Sequence, residues 1–87
     1  MPYSLPLPNR LAGWKVKIFD NERLEDPHLT ILFKHRHWRL GLRDGKFIDR
    51  GDAWNQIDEG VRKEIQQKRN WQKLKAEWNR IHPQNPT

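Results

Sequence analysis

His35 and His37 stand on either side of Arg36, with Lys34 before them and Trp38 and Arg39 directly after. A ribonuclease that works without metal needs a base of near-neutral pKa to take the ribose 2′-hydroxyl proton, and cations to hold the charge that develops on the phosphate. Both residue types occur in this short stretch, so His35, His37 and Arg39 are the candidate catalytic residues, supported by Lys34 and Arg36. The i, i+2 spacing is common on its own, and histidines in a charged turn are more often plain solvated surface. Adding His28 makes a third imidazole, yet the spacing fixes no ligand set and the chain has no Cys, so no metal site is expected. Asp20, Glu22, Glu25 and Asp26 crowd one stretch without EF-hand spacing and read as a solvated acidic loop. A Walker-type loop, GxGxxG, a nucleophile elbow and HExxH are all absent, which argues against nucleotide-dependent enzymes and gives no reason to expect a cofactor.

Eighty-seven residues is one domain's worth of chain. With 17 Lys+Arg against 11 Asp+Glu the formal net charge is +6, and the sequence pI is about 10.1. Only 34% of the residues are hydrophobic, so a core forms only if nearly all of the five Trp and three Phe join it. No apolar run approaches the ~20 residues of a membrane span, and none has the form of a signal-peptide core. A soluble, cytoplasmic protein is the expectation, and the lack of Cys fits a reducing compartment.

The elements that must carry these side chains follow from periodicity. Residues 1–13, with Pro2, Pro6, Pro8 and Gly13, have neither period and read as an irregular arm. Residues 83–87, after Pro83 ends any helix, read as a disordered tail, which leaves residues 14–82 as a single domain. Trp14, Val16 and Ile18 alternate with Lys15, Lys17 and Phe19, the signature of a half-buried strand. A second strand has Leu29, Ile31 and Phe33 alternating with Thr30, Leu32 and Lys34; a third has Trp38, Leu40 and Leu42 alternating with Arg39, Gly41 and Arg43. Asp44-Gly45 suits a two-residue hairpin turn into a return strand over 46–49, pairing Leu42 with Phe47. A turn at His35-Arg36 pairs Ile31 with Leu40, although a longer loop is equally compatible with that dipeptide.

After Gly51 the period becomes helical, with Trp54 as a cap on the core. Asp58 caps a helix that buries Val61 and Ile65, and Trp71, Leu74, Trp78 and Ile81 form a second stripe. The stripes are out of phase, so a break near Lys68-Arg69-Asn70, with Asn70 as the new cap, is expected. The resulting fold class is α+β: a three- or four-stranded antiparallel meander with one or two C-terminal helices packed on one face.

If helices cover one face only, the other carries Lys15, Lys17, Phe19, Lys34, Arg39, Arg43 and Lys46, with no acid among the strand positions. Lysines and arginines that neutralise phosphates release counterions, and Phe19 or Trp38 offers a surface for an unpaired base. Nucleic acid is therefore the expected partner, RNA before DNA because a flat sheet suits unstacked bases. Two alternatives stand beside it: a ribonuclease acting through the His35 to Arg39 tip, and a protein-interaction domain with Phe19, Leu32 and Ile48 as its apolar patch. Pro27-His28-Leu29-Thr30-Ile31, then Asp44-Gly45-Lys46-Phe47-Ile48, then Asn70-Trp71, resemble a small prokaryotic domain of unknown function. Its members have a Pro-His strand, a hairpin with a Gly turn and a C-terminal helix carrying Asn-Trp. The resemblance spans most of residues 14–75 and implies a prokaryotic, cytoplasmic setting. Because some members are toxin-like partners in toxin-antitoxin pairs, it also implies a small acidic protein partner. Thr30 stands where that family often has a second His, and no catalytic residue carries over.

Overall fold

The computed structural model describes residues 2–21 and 25–87. Glu22, in the acidic stretch, and Met1, in the N-terminal arm, lie outside the described residues. The chain folds as an α+β unit whose elements run β1 (Tyr3–Ser4), β2 (Trp14–Ile18), β3 (His28–Phe33), β4 (Arg36–Gly41), α1 (Glu59–Gln66) and α2 (Lys68–Ile81). Neighbouring strands pair antiparallel in the order β1-β2-β3-β4. No helix among the described residues is long and apolar enough to cross a membrane.

Ile31 faces Val16 on one side and Trp38 on the other, and Leu29 faces Leu40. Side chains alternate along a strand, so these rows share one face, and Val16, Ile18, Leu29, Ile31, Trp38 and Leu40 are all buried there. Val61 and Ile65 of α1 and Leu74 and Trp78 of α2 cover that face. Burying each such side chain is worth about 1.5–3 kcal/mol over leaving it in water.

The pairing differs from the expected one by two residues. The β3–β4 turn is Lys34-His35 rather than His35-Arg36, which puts Ile31 opposite Trp38 instead of Leu40. An even shift preserves every side chain's face, so the core residues are unchanged. Among the described residues Lys34, at φ 55°, is the one non-glycine residue in the left-handed region, which an L side chain adopts at a cost. The return strand expected over 46–49 does not form. A single bridge joins Leu40 to Phe47, because the loop after Gly41 is wider than two residues: Gly45 N–H donates to the Gly41 carbonyl, and Gly41 N–H to that of Lys46. A Cβ on Gly41 would meet Asp44 Oδ1 at 2.6 Å, so glycine is what lets this loop close.

Both chain ends are recruited to the fold, where composition alone suggests an arm and a tail. Tyr3 and Ser4 pair with Ile18 and Lys17, and Leu5 and Leu11 enter the core. At the other end Trp78 Nε1–H donates to the Asn85 carbonyl at 2.6 Å, and Asn85 Nδ2 donates to the Glu25 carbonyl at 2.6 Å. Thr87 N–H reaches Asn79 Oδ1 at 2.8 Å. His28 and His82 flank the buried Trp78 ring, with centroids 5.5 and 4.0 Å away. His28 Nδ1–H donates to the Asp26 carbonyl and His82 Nε2–H to that of Phe19, each at 2.8 Å. His28 is thus a structural, hydrogen-bonded histidine, as its place beside the core suggests.

The helices do break, but at Gln67, whose ψ of 131° is extended. Asp58 caps α1 by accepting from Gly60 N–H at 2.7 Å. Asn70 is not the cap of α2. It lies inside the first turn, and its Nδ2 donates to the Glu64 carbonyl at 2.7 Å, satisfying an acceptor that the end of α1 leaves open.

Two stability measurements check this description. Lys34→Gly should raise the unfolding free energy by about 0.5–1 kcal/mol, because glycine adopts positive φ freely, whereas Lys34→Val should lower it by about 1–2 kcal/mol. Deleting residues 83–87 should cost about 1–3 kcal/mol in urea unfolding, since it leaves the buried Trp78 N–H without its acceptor; an unchanged midpoint would show that the tail contributes nothing.

Candidate functional site

The face of the sheet away from the helices is built by the complementary positions of the same rows. Lys15 lies beside Leu32, which lies beside His37, and Lys17 lies beside Thr30, which lies beside Arg39. Phe19 follows directly on β2, half-buried, with its carbonyl held by His82. The register thus brings Lys15, Lys17, Phe19, His37 and Arg39 together. Lys15 and Lys17 have no ion pair among the described residues.

The remaining candidates lie outside this cluster. Lys34 and His35 form the exposed hairpin turn. Arg36 faces the core side, its guanidinium carbon 4.7 Å from the Trp38 ring centre. Arg43 and Lys46 sit at the opposite end of β4, in the loop after Gly41, where Arg43 Nη2 donates to the Pro86 carbonyl at 2.8 Å. They leave the face because the chain turns out of the strand at Gly41, ending the alternation on which their placement rests. Trp38 is 1% exposed, with its Nε1–H donating to Gln56 Oε1, and no base can stack on it. His28 is also unavailable to His35 and His37. It begins β3, four residues from the partner of His37, a separation of about 13 Å. Among the described residues no three His, Cys, Asp or Glu gather as a metal ion needs.

Arg39 is the central feature of the outer face, and its role differs from that of a free cation. Its Nε and Nη2 donate to the two carboxylate oxygens of Asp49 at 3.0 and 2.6 Å, and its Nη1 donates to Glu25 Oε1 at 2.5 Å. The strands supply no acid here, as the alternation predicts; the acids arrive from the segments on either side. Such a two-point guanidinium–carboxylate contact fixes geometry as well as charge. Hydrogen bonding from Arg39 holds the Asp49 carboxyl below the usual aspartate range, against the opposing effect of its partial burial.

Around this cluster the face dips into a shallow basin of about 560 Å³. Thr30 and Leu32 of β3 and His37 and Arg39 of β4 line it together with Phe19, Glu25, Asp49 and Asp52. Thr30, Glu25, Asp49 and Asp52 are the site residues that strand periodicity misses or assigns no role. Alternation marks Thr30 only as an outward threonine, Asp49 ends the expected return strand that does not form, and Glu25 and Asp52 lie in irregular chain, where no period places a side chain.

The net charge of +6 is concentrated elsewhere. Over Lys68–Ile81 there are five cations and one acid, Glu77. Arg80 and Lys73 both bind Glu77, at 2.7 and 3.2 Å, and the Arg80 hydrogen bond is the main reason that the Glu77 carboxyl is held below the usual glutamate range. Lys68, Arg69 and Lys75 have no ion pair among the described residues. No protein-family profile, curated protein or solved structure matches the chain.

The Arg39 cluster makes a pH prediction. A depressed folded pKa means that the pair contributes stability above the ordinary aspartate value of 3.8, and that this contribution is lost as pH falls through the lowered folded value. Asp49→Asn should therefore cost up to about 1 kcal/mol at pH 7, a modest figure because both side chains are partly solvated. The difference between wild type and variant in urea unfolding should shrink progressively as pH falls below 3.8.

Proposed function

We propose that the protein is a small RNA-binding module that lays a single strand across the outer face of its sheet. The observation that carries this reading is the pair Lys15 and Lys17. They stand side by side on β2's outer face without ion pairs among the described residues, at the rim of a basin whose wall is the half-buried ring of Phe19. Residues two apart on a strand are about 6.6 Å from each other along the backbone, so both lysines emerge on the same face and can reach neighbouring phosphates of one strand. Exposed Lys34 and the imidazole of His37 extend the same surface toward the hairpin turn. Arg39 serves to organise the face and is not assigned to a phosphate, because its guanidinium is already held by Glu25 and Asp49. Arg43 and Lys46 are not part of this surface.

The alternative reading as a ribonuclease-like toxin keeps one supporting observation: His37 stands in the wall of the same basin, beside Lys15 across Leu32. Its imidazole would take the 2′-hydroxyl proton, and a lysine would hold the phosphate. Metal-free incubation of total RNA with micromolar protein separates the two readings: intact RNA leaves the binding module alone, and cleavage that disappears in His37→Ala makes the protein an enzyme.

Binding itself is tested by fluorescence anisotropy with a labelled single-stranded RNA of about a dozen nucleotides. Three phosphate contacts give a slope near −2 in log affinity against log salt. The double variant Lys15→Ala, Lys17→Ala should weaken binding at least tenfold and flatten the slope, by an equal factor for all sequences. Affinity that is indifferent to salt, or unchanged in the double variant, overturns the reading.

A further inference from the structure

We infer that the basin on the outer face takes an unstacked guanine base of the bound strand. This rests on the reading of that face as an RNA-binding surface, and it adds which part of the RNA enters the basin and which base is preferred.

Three polar side chains that line the basin, Thr30, His37 and Asp52, have no hydrogen-bond partner among the described residues. Thr30 is 6% exposed, and because no buried side-chain polar atom among the described residues lacks a partner, its hydroxyl is accessible to solvent rather than orphaned in the core. Asp52 also lines the basin, half-buried. Its backbone N–H donates to the Asp49 carbonyl, while its carboxylate has neither ion pair nor hydrogen bond among the described residues. Arg39 occupies both oxygens of Asp49 and one of Glu25, so of the three carboxylates in the basin Asp52 is the one with both oxygens open among the described residues. Phe19 supplies a half-buried ring whose backbone is pinned by His82.

Charge decides which part of a nucleotide enters. Glu25, Asp49 and Asp52 outnumber Arg39 in the basin, so a phosphate is repelled there, while Lys15 and Lys17 attract it at the rim. A neutral base is the part that fits inside. The same rim disfavours a lysine or arginine side chain from a protein partner. Among the four bases, guanine alone presents adjacent N–H donors, N1–H and the 2-amino group, which match the two oxygens of one carboxylate. Its remaining edge carries acceptors that the Thr30 hydroxyl can donate to, and its face stacks on Phe19. A volume of about 560 Å³ lies within the range of small-ligand sites.

The test uses the full chain and labelled eight-nucleotide RNAs that are uridine throughout, or carry one central guanosine, adenosine or cytidine. The guanosine RNA should bind at least fivefold more tightly than the others. Asp52→Asn and Thr30→Val should each bring the affinity for the guanosine RNA to within twofold of the same variant's affinity for the all-uridine RNA. Far-UV circular dichroism and thermal melts identify any variant that fails to fold. For such a variant, guanosine 5′-monophosphate competing at least fivefold better than the adenosine and uridine nucleotides for the wild-type protein carries the same conclusion. RNA binding without guanine preference, or a preference that survives Asp52→Asn, overturns this inference and leaves the binding module standing. Displacement of the guanosine RNA by an arginine-rich peptide but not by the nucleotide makes the basin a protein site and overturns it too. Absence of RNA binding altogether removes both readings.

Discussion

Which strand side chains reach the outer face of the sheet is decided by the row in which Ile31 lies between Val16 and Trp38. Side chains alternate with a period of two, so placing that row on the core side sends Lys15, Lys17, Thr30, Leu32, His37 and Arg39 to the other. A slip of one residue would bury two lysines and an arginine and expose five of the largest apolar side chains, which no small domain's stability survives. A slip of two costs far less, because it exchanges one apolar neighbour for another. The difference between the expected and observed β3–β4 pairing is of that tolerable kind.

Scarcity of apolar residues explains the use made of the termini. The sheet and two helices leave gaps that Leu5, Leu11 and Ile57 fill from irregular chain. Trp78 illustrates the polar side of the same problem. Its ring is fully buried between two imidazoles, so its indole N–H needs an internal acceptor, and the tail supplies one through Asn85. The tail is held in turn by Glu25, whose side chain binds Arg39. Core, tail and outer face are therefore connected through a handful of hydrogen bonds that a composition count does not register.

Electrostatics on the outer face differs from a simple cationic plate. Alternation alone makes the strands basic there, but the loops return three carboxylates to the centre of the sheet, and the excess cations sit on α2 and at the hairpin turn. What results is a face divided into a positive rim on β2 and a basin with an acidic excess. A uniform positive face would bind any polyanion; a divided one separates phosphate from base. That division is why the functional reading rests on Lys15, Lys17 and Phe19 rather than on the isoelectric point.

The amino-acid sequence by itself determined the α+β class, the strands that open at Trp14 and next to Leu29 to within a residue at each end, the faces of Lys15, Lys17, His37 and Arg39, the Asp58 cap and the helix break within a turn of Gln67. Each of these is a local matter of period, propensity or capping, which neighbouring residues settle among themselves. Tertiary structure alone decided that Tyr3 and Ser4 supply the fourth strand, that Phe47 makes one bridge instead of a strand, and that Trp38 is sealed away from solvent. It also decided that Arg39 is held by Asp49 and Glu25 while Asp52 and Thr30 are left with open hydrogen-bonding groups. Those outcomes depend on segments distant along the chain competing for the same apolar surface and the same donors, and no period in the sequence encodes the result of that competition.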